Sequence, residues 1–397
     1  MSDHVVIAGG GLGASRLAEA LRGNDFPGAI TILAAEDHPP YDRPPLSKSV
    51  LLGDDDRVDL KPADYYADND IDLRLGTRVT GVDPARGRVV LSGADAPAEL
   101  EYGTLVLATG LRPRPFPGAG GDLPGVHVIR TYDDAAALRA ELDGARRAVV
   151  IGAGFIGCET SASLTKRGLR VTLVEPAPAP LAAALGPAVA PFVTRLHTEA
   201  GVDVRAATSV ARILGEGRAT GVELDDGTVV DTDLVVVGIG GRPDLDYLAG
   251  SGIELADPAT GGGIACDESG RTSAPHVYAI GDAANWADER GARRRVEHWN
   301  HTVDQAVIAA AEIGGHPRPA PTVPYFWTDQ YDLKVQLLGS PRPDDTVHVV
   351  DDDGRKFLAY YSRDGVLTGV VGAGRVGRLM KTRPHLLTPT PVADLLT

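Results

Sequence analysis

The sequence predicts an α/β protein with two Rossmann-like dinucleotide-binding domains and a C-terminal α+β domain. The first observation is a strand, a glycine turn and a helix in succession at HVVIAGGGLGASRLAEALR. The second is the return of the same order at RAVVIGAGFIGCETSASLTKRG. The third is the stretch from VPYFWTDQYDLKVQLLGS onward, which alternates and turns as antiparallel strands do.

Length and composition indicate a globular protein of two to three domains. The chain has 397 residues, 43% of them hydrophobic and 23% charged, proportions that are ordinary for a folded protein. The formal net charge of −15 argues against general binding to nucleic acid or anionic membranes. No apolar run approaches the ~20 residues that cross a bilayer, and MSDHVVIAGGG lacks the features of a signal peptide, so a cytoplasmic protein is expected.

The two cysteines, Cys158 and Cys266, lie 108 residues apart and form no CxxC pair. Neither a disulfide framework nor a dithiol redox centre is therefore supported. Both are expected to be small buried packing residues. No metal site is predicted.

Both glycine turns have the spacing of a phosphate cradle. In G-x-G-x-x-G/A the first residue makes the turn, the second lets the backbone approach a pyrophosphate, and the third lets helix and strand pack closely. These positions are Gly9, Gly11 and Ala14 in the first cradle, and Gly152, Gly154 and Gly157 in the second. Because each turn follows a strand and opens a helix whose N-terminus favours an anion, the chain is expected to bind two dinucleotides.

An acidic residue follows each cradle. Glu36, predicted at the end of the strand AITILAAE, is 27 residues beyond Gly9, and Glu175 is 23 residues beyond Gly152. Each can accept hydrogen bonds from ribose hydroxyls, although a solvated charge at a strand end is the alternative. A carboxylate at Glu175 would repel a 2′-phosphate, which favours NADH over NADPH.

Two similar strands mark the domain boundaries. LVLATGLRP (105–113) and LVVVGIGGRP (234–243) each give an apolar strand, a glycine and an Arg-Pro exit, and each follows a β-rich stretch that predicts a small antiparallel insertion. The predicted domains are a discontinuous first domain of residues 1–112 and 243–322, a second domain of residues 113–242, and a C-terminal domain of residues 323–397.

Eight linked motifs extend over nearly the whole chain: GGGLGA, YDRPPLSK, LATGLRP, GAGFIGCE, VGIGGRP, YAIGDAAN, VEHW and VPYFWTDQYD. In these motifs the sequence resembles the FAD- and NADH-dependent ferredoxin reductases, which include putidaredoxin reductases, rubredoxin reductases and the reductases of aromatic-ring dioxygenases. The resemblance implies a glutathione-reductase-like arrangement in which the first domain binds FAD and the second binds NADH.

The resemblance also implies cofactor-binding residues beyond the two cradles. On the FAD side they are Gly13, Arg43, Lys48, Val79, Ala108, Thr109, Gly110, Gly281 and Asp282, of which Asp282 would hold the ribityl chain. On the NAD side they are Phe155, Ile156, Glu159 and Gly240. Trp299, Tyr325, Phe326 and Trp327 would border the isoalloxazine ring.

Lys48 and Glu159 are the candidate catalytic residues. Pro44 and Pro45 stiffen the loop YDRPPLSK, which by itself is compatible with a helix capped by Ser47 and with Lys48 as a surface residue. Within the resembled family, Lys48 is instead expected to be a cation near flavin N5, with Glu159 as its partner. An interaction of Glu159 with the helix dipole is the alternative.

The sequence departs from the family pattern at four places. Ala14 stands where many relatives have glycine, a change that FAD binding is expected to tolerate. PLAAALG has Ala183 where an arginine that clamps the NAD adenosine is common, so weaker NADH binding is expected. Tyr325 replaces the usual tryptophan of PWFW, and GAGRVGRLMK lacks the frequent Asn-Arg-Pro. The last two changes concern the flavin edge and the partner surface.

The function implied is transfer of electrons from NADH through FAD to a small acidic iron–sulfur ferredoxin, which serves a cytochrome P450 or a ring-hydroxylating oxygenase. The protein is expected to be a monomer or a weak homodimer. A rubredoxin reductase, a flavin NADH oxidase and an NADH-sensing protein resembling apoptosis-inducing factor are the alternatives.

An acidic partner of an acidic reductase requires a local positive patch. Two basic clusters are candidates, although either could simply be a solvated surface. They are Arg290, Arg293, Arg294 and Arg295, and then Arg375, Arg378, Lys381 and Arg383.

Overall fold

The computed structural model describes residues 3–288 and 291–396, and it has the predicted α/β fold class. The described chain divides into two compact units. The first unit runs from the start of the described chain to Asp42 and includes Val58–Arg112 and Arg242–Thr322; the second contains Arg43–Arg57, Pro113–Gly241 and the chain from Val323 onward. The division into three domains stays a prediction.

The first unit begins with the predicted strand, turn and helix, and its second strand is followed by a segment of the second unit. The elements are β1 (Val5–Ala8), α1 (Leu12–Gly23) and β2 (Ile30–Leu33), then a 3₁₀ turn (Pro44–Ser47) and α2 (Ser49–Leu52) in the second unit. The strand predicted to reach Glu36 ends at Leu33. The chain bends there because the backbone N–H of Gly76, in a turn with φ +58°, donates to the carbonyl of Glu36.

The first unit continues with a short helix, further strands of its sheet and the strands of its small insertion. They are α3 (Tyr65–Asp68), β3 (Ile71–Arg74), β4 (Arg78–Asp83), β5 (Arg88–Ser92), β6 (Glu99–Glu101), β7 (Thr104–Leu107) and the connecting strand β8 (Leu111–Pro113). β4, β5 and β6 form the expected antiparallel insertion.

The second unit repeats this plan. Its elements are β9 (Val126–His127), α4 (Tyr132–Leu142), β10 (Arg147–Ile151), α5 (Phe155–Lys166), β11 (Arg170–Glu175), α6 (Ala182–Leu185), α7 (Ala190–Glu199), β12 (Asp203–Ala206), β13 (Val210–Leu214), β14 (Gly221–Leu224), β15 (Val229–Asp231) and β16 (Leu234–Val237). The connecting strand β17 (Gly241–Pro243) begins in this unit and continues in the first unit from Arg242. The parallel sheet has the order β12-β11-β10-β16-β9, and β13, β14 and β15 form the second antiparallel insertion.

The chain then returns to the first unit and ends in the second. The returning elements are β18 (Ile264–Cys266), β19 (Val277–Ala279), β20 (Ala284–Trp286) and α8 (Trp299–Gly314). β19 completes the parallel sheet β19-β7-β1-β2-β3. Its strands β1 and β2 are fully buried, because α1 and α8 pack on one face and the β4–β5–β6 insertion packs on the other. The final elements are β21 (Tyr325–Gln330), β22 (Leu333–Gly339), β23 (Thr346–Asp352), β24 (Phe357–Arg363), β25 (Val366–Ala373) and α9 (Val376–Lys381).

The five last strands form the antiparallel sheet β21-β22-β25-β24-β23 that their alternation predicts. Cys158 and Cys266 are both buried, and burial raises the pKa of each thiol, to about 12 for Cys266. Among the described residues, no helix is both long and apolar enough to cross a membrane.

Candidate functional site

The first cradle lies between β1 and α1 and is shaped by Gly9 and Gly11. Gly9 has φ +126°, and a Cβ on it would lie 2.2 Å from the carbonyl oxygen of Ala108, so only glycine fits. A Cβ on Gly11, the N-cap of α1, would meet no described atom within 4 Å. The first turn of α1 has no acidic side chain, and no described side chain caps it, so its N–H groups are available for a pyrophosphate.

The close packing in this motif falls on Gly13 and Ala14. A Cβ on Gly13 would lie 3.3 Å from Thr302 of α8, and Ala14 is fully buried. Glu36 lies beyond β2, where its carboxylate accepts a hydrogen bond of 2.5 Å from the hydroxyl of Tyr41. The carboxylate that is expected to bind ribose is therefore oriented by a side chain five residues away.

Two turns at the carboxyl end of the same sheet hold most of the other expected FAD residues. Ala108, Thr109 and Gly110 follow β7; the hydroxyl of Thr109 lies 3.3 Å from that of Tyr247, and Gly110 has φ +68°. Gly281, with φ +72°, donates its N–H to Gln305 of α8 at 2.7 Å.

The remaining FAD candidates of the first unit have different surroundings. Asp282 follows Gly281, and its carbonyl accepts a hydrogen bond from Arg295. Val79 lies on β4 in the hydrophobic core. Trp299, the first residue of α8, donates its indole N–H to Asp42 at 2.8 Å and lies beneath the guanidinium of Arg16.

The second cradle, between β10 and α5, has the same geometry with tighter packing. Gly152 has φ +94°, and a Cβ on it would lie 2.5 Å from the carbonyl oxygen of Gly238. A Cβ on Gly157 would lie only 1.9 Å from the carbonyl oxygen of Gly152. A Cβ on Gly154, the N-cap of α5, would meet no described atom within 4 Å, so this helix terminus is also open to a pyrophosphate.

Glu175 ends β11 and faces this cradle. One carboxylate oxygen accepts from the N–H of Ala153 at 2.6 Å and the other from the N–H of Ala177 at 2.8 Å. Residues 176–194, which follow it, contain no lysine or arginine. These 19 residues therefore offer no cation to a 2′-phosphate.

Lys48 and Glu159 form a buried ion pair within the second unit. The ammonium of Lys48 lies 2.5 Å from Glu159 Oε2, and their side chains are 19% and 6% exposed. The hydroxyl of Ser47 donates to the same oxygen at 2.6 Å, and that of Thr328 donates to Oε1 at 2.6 Å. Glu159 thus binds side chains rather than the first turn of its helix, and Ser47 does not cap α2.

The other candidates of the second unit lie on α5, β21 and the connecting segments. The ring of Phe155, the first residue of α5, lies 4.1 Å from that of Phe326, and Ile156 beside it is 39% exposed. The rings of Tyr325 and Trp327 stack 5.9 Å apart on β21.

Gly240 and Arg43 occupy the connecting segments. Gly240, with φ +86°, lies between β16 and β17, and Arg43 donates to the carbonyl of Arg130 at 2.5 Å. The parts of the predicted site in the second unit are thus the second cradle, the Lys48–Glu159 pair and the aromatic start of β21.

Most arginines of the predicted basic clusters have other partners. Arg293 donates to the carbonyls of Cys266 and Asn285, and Arg295 pairs with Glu297. Arg375 and Arg378 both pair with Asp351. Arg290 lies outside the described residues.

Sequence reasoning missed the residues that orient the predicted ones. Ser47 and Thr328 bind Glu159 across 112 and 169 positions of the chain, and Gln305 binds Gly281 across 24. Their only signal in the sequence is a hydroxyl or amide inside a motif such as PPLSK or FWTDQ.

Two open phosphate cradles, each followed by an oriented carboxylate, define a dinucleotide-dependent oxidoreductase. The sequence profile described as pyridine nucleotide-disulphide oxidoreductase matches residues 3–306, and the reductase C-terminal profile matches residues 325–393. The chain belongs to the pyridine nucleotide-disulphide oxidoreductase family and, within it, to the ferredoxin reductases.

Three known proteins illustrate this relationship. A ferredoxin–NAD(P)+ reductase of a Sphingomonas species is 40% identical over 368 residues, which cover 91% of this chain and 87% of the relative. The crystal structure of the ferredoxin reductase for the CYP199A2 system of Rhodopseudomonas palustris superposes with a TM-score of 0.93, at 35% identity and with 100% and 98% of the two chains covered. The reductase in a covalent putidaredoxin reductase–putidaredoxin complex gives 0.92, at 32% identity and 99% and 95% coverage.

These comparisons confirm the predicted family, the enzyme class and the cofactors FAD and NAD(H). The residues present fit both groups, because each cradle leaves open the position where a pyrophosphate approaches the backbone. The individual site residues stay predictions.

Proposed function

We propose that this chain oxidises NADH and delivers the electrons to a small acidic iron–sulfur ferredoxin that serves a cytochrome P450 or a ring-hydroxylating oxygenase. When bound, FAD accepts a hydride from NADH and releases electrons singly. The chain supplies the two cradles, the carboxylates that orient the nucleotides and the buried cation of Lys48. A cytoplasmic location and a monomeric or weakly dimeric state also stay predictions.

The Lys48–Glu159 pair is the observation that carries this proposal. A lysine that is four-fifths buried and held 2.5 Å from a carboxylate is a fixed cation, rather than the mobile surface residue that PPLSK alone would allow. We propose that this cation stabilises the negative charge that develops on the flavin during hydride transfer. Arg43, Trp299 and the aromatic residues Tyr325, Phe326 and Trp327 are proposed to contact the flavin as the family resemblance implies.

Stopped-flow reduction of the purified flavoprotein by NADH and by NADPH tests this function. We expect NADH to be the faster reductant, because Glu175 repels a 2′-phosphate and residues 176–194 provide no cation. A protein without flavin, or one reduced far faster by NADPH, would contradict the cofactor assignment.

The acceptor is tested separately with a panel of ferredoxins and rubredoxins in a cytochrome c assay. Rapid turnover with an acidic ferredoxin supports the proposal. A preference for rubredoxin, direct oxidation by oxygen, or slow turnover with every carrier would instead favour the rubredoxin reductase, the oxidase or the NADH-sensing protein.

A further inference from the structure

The carboxylate of Glu159 is surrounded by donors from separate parts of the second unit. Besides Lys48, it accepts hydrogen bonds from Ser47 and Thr328 at 2.6 Å each. Glu159 is 5% exposed, and Ser47 and Thr328 are fully buried, so no bulk water reaches these bonds. Two neutral hydroxyls and one cation thus hold a single buried carboxylate.

The two carboxylate oxygens differ in what holds them. Oε2 is shared by Lys48 and Ser47, whereas Thr328 is the only donor to Oε1 among the described residues. A buried carboxylate oxygen that loses its donor costs about 1–3 kcal/mol. Loss of either hydroxyl would therefore favour another orientation of the Glu159 carboxylate and of the ammonium that it holds.

The position of Ser47 is itself fixed by α5. Glu159, Ser163 and Arg167 lie one turn apart on this helix. Ser163 donates to the carbonyl of Ser47 at 2.7 Å, and Arg167 donates to the carbonyl of Leu52 at 3.1 Å. The segment that carries Lys48 is therefore attached to α5 by its backbone as well as by its side chains.

Thr328 is fixed from the other side, by β21. Two residues before it on the same strand, Phe326 packs its ring 4.1 Å from that of Phe155 at the start of α5. Because residues two apart on a strand point to the same face, Phe326 and Thr328 approach α5 together. Burial also raises the pKa of the neighbouring Cys158 thiol well above its ordinary value, which leaves Lys48 as the charged partner of Glu159.

We propose that Ser47 and Thr328 are positioning residues that hold the Glu159 carboxylate in one orientation, and that they thereby hold the Lys48 ammonium in one place. The importance of this position for hydride transfer rests on the proposed function of Lys48. The orientation of Glu159 does not, so the two ideas can be tested apart.

The first test follows Lys48 by NMR in the holoenzyme labelled with carbon-13 at lysine Cε. The chain has six lysines, and the Lys48 signal is assigned by its loss in Lys48→Arg. The chemical shift of this signal reports the surroundings of the Lys48 ammonium. We expect Thr328→Val to move the signal by more than its line width, because Oε1 loses its donor and the carboxylate changes its orientation. Ser47→Ala is expected to move it as well, whereas Thr328→Ser restores the hydroxyl and the parental position of the signal.

Thr160→Val is the matched control. Thr160 follows Glu159 on α5 and is also fully buried, but its hydroxyl forms no hydrogen bond with any described residue. Its loss should leave the Lys48 signal unchanged. An unmoved signal in both Thr328→Val and Ser47→Ala, or an equal movement in Thr160→Val, would overturn the inference.

The second test measures the rate of flavin reduction by NADH at a single pH. We expect Thr328→Val to lower this rate about fivefold without a change in the KM for NADH, and Thr328→Ser to restore it. A moved Lys48 signal with an unchanged rate supports the positioning role and counts against the proposed role of Lys48. If Thr328→Val does not fold, Ser47→Ala and Thr328→Ser provide the same comparison.

Discussion

At the scale of single residues, the carboxylate of Glu175 has a fixed orientation. Backbone N–H groups of Ala153 and Ala177 each hold one of its oxygens. The remaining lone pairs can accept from ribose hydroxyls, so we expect this carboxylate to favour a nucleotide without a 2′-phosphate.

Glu175→Gln is expected to weaken the preference for NADH. The amide removes the negative charge and can satisfy only one of the two N–H groups as an acceptor. We expect the ratio of kcat/KM for NADPH to that for NADH to rise about tenfold, equivalent to ~1.4 kcal/mol. Steady-state kinetics with both nucleotides measure this ratio. The control is Glu199→Gln, which makes the same change at an exposed glutamate of the second unit. An unchanged ratio would place the discrimination elsewhere.

Lys48→Ala should slow flavin reduction by NADH about tenfold or more while the protein retains FAD, because a fixed cation near developing charge is lost. Lys166→Ala, which removes a lysine that is 65% exposed, is the control. Stopped-flow traces compare the two variants with the parent enzyme. Identical rates of flavin reduction for Lys48→Ala and the parent enzyme would show that Lys48 has a structural role only.

The pairing of Lys48 with Glu159 was predictable, whereas its supporting residues were not. The motifs YDRPPLSK and GAGFIGCE identified the two charges because the family resemblance assigns roles to motif positions. Ser47 and Thr328 contact Glu159 only through tertiary folding, which brings together residues more than a hundred positions apart. No local pattern encodes such a contact.

At the scale of elements, two glycines of the second cradle have different physical roles. A Cβ at Gly157 would collide with the backbone carbonyl of Gly152, whereas a Cβ at Gly154 would meet no described atom. Gly157 is thus required by the packing of α5 on β10, and Gly154 leaves space for a nucleotide.

We expect Gly157→Ala to destabilise the protein by about 2 kcal/mol, because backbone atoms must move apart. Gly154→Ala should leave the free energy of unfolding within about 0.5 kcal/mol of the parent value and raise the KM for NADH about tenfold. Denaturant unfolding and steady-state kinetics separate the two effects. The interpretation fails if Gly154→Ala is the variant that unfolds or if it binds NADH normally.

The elements themselves follow closely from the sequence. Buried strands such as β1, β10 and β16 are continuous apolar runs, and the glycine turns place the following helices. The end of β2 was misplaced because the apolar run continues to Ala35, past the residue where a distant glycine turn bends the chain. The assignment of residues 43–57 to the second unit depends on contacts with α4 and α5 that no local pattern shows.

At the scale of the whole molecule, buried histidine contributes to acid sensitivity. His197 on α7 is fully buried, with Nδ1 2.8 Å from the hydroxyl of Tyr331, and burial lowers its pKa to about 4. The unfolded chain takes up this proton near pH 6.5 and the folded protein only near pH 4. Stability from this group is therefore complete above pH 6.5 and is lost as the pH falls between these values.

The expected loss from His197 is about 3 kcal/mol between pH 6.5 and pH 4. His197→Gln, which does not titrate, should flatten the fall in the free energy of unfolding over that range. His385→Gln at the exposed end of the chain is the control and should keep the parental slope. If the free energy of unfolding has the same pH dependence in all three proteins, the pKa of His197 does not differ between the folded and unfolded states.

The protein has a net charge of −15, so an acidic partner would be repelled except where positive side chains are not paired with carboxylates. Arg375 and Arg378 are compensated by Asp351 and Asp353. Lys381 and Arg383 are exposed, and no described carboxylate lies within ion-pair distance of either. Exposed apolar side chains of Val376, Met380 and Leu387 lie in the same short segment of the chain. We expect this combination at a docking surface for the proposed acidic ferredoxin.

Reversal of charge at Lys381 and Arg383 should therefore weaken ferredoxin turnover and leave the flavin reaction intact. We expect Lys381→Glu combined with Arg383→Glu to raise the KM for the ferredoxin about tenfold at low ionic strength, and to reduce the dependence of kcat/KM on salt. Ferricyanide reduction, which requires no docked protein, should keep its rate. Arg170→Glu provides the same kind of charge change at an exposed site on β11. If Arg170→Glu weakens ferredoxin turnover equally, the effect comes from net charge rather than from a docking surface, and this segment is not the ferredoxin contact.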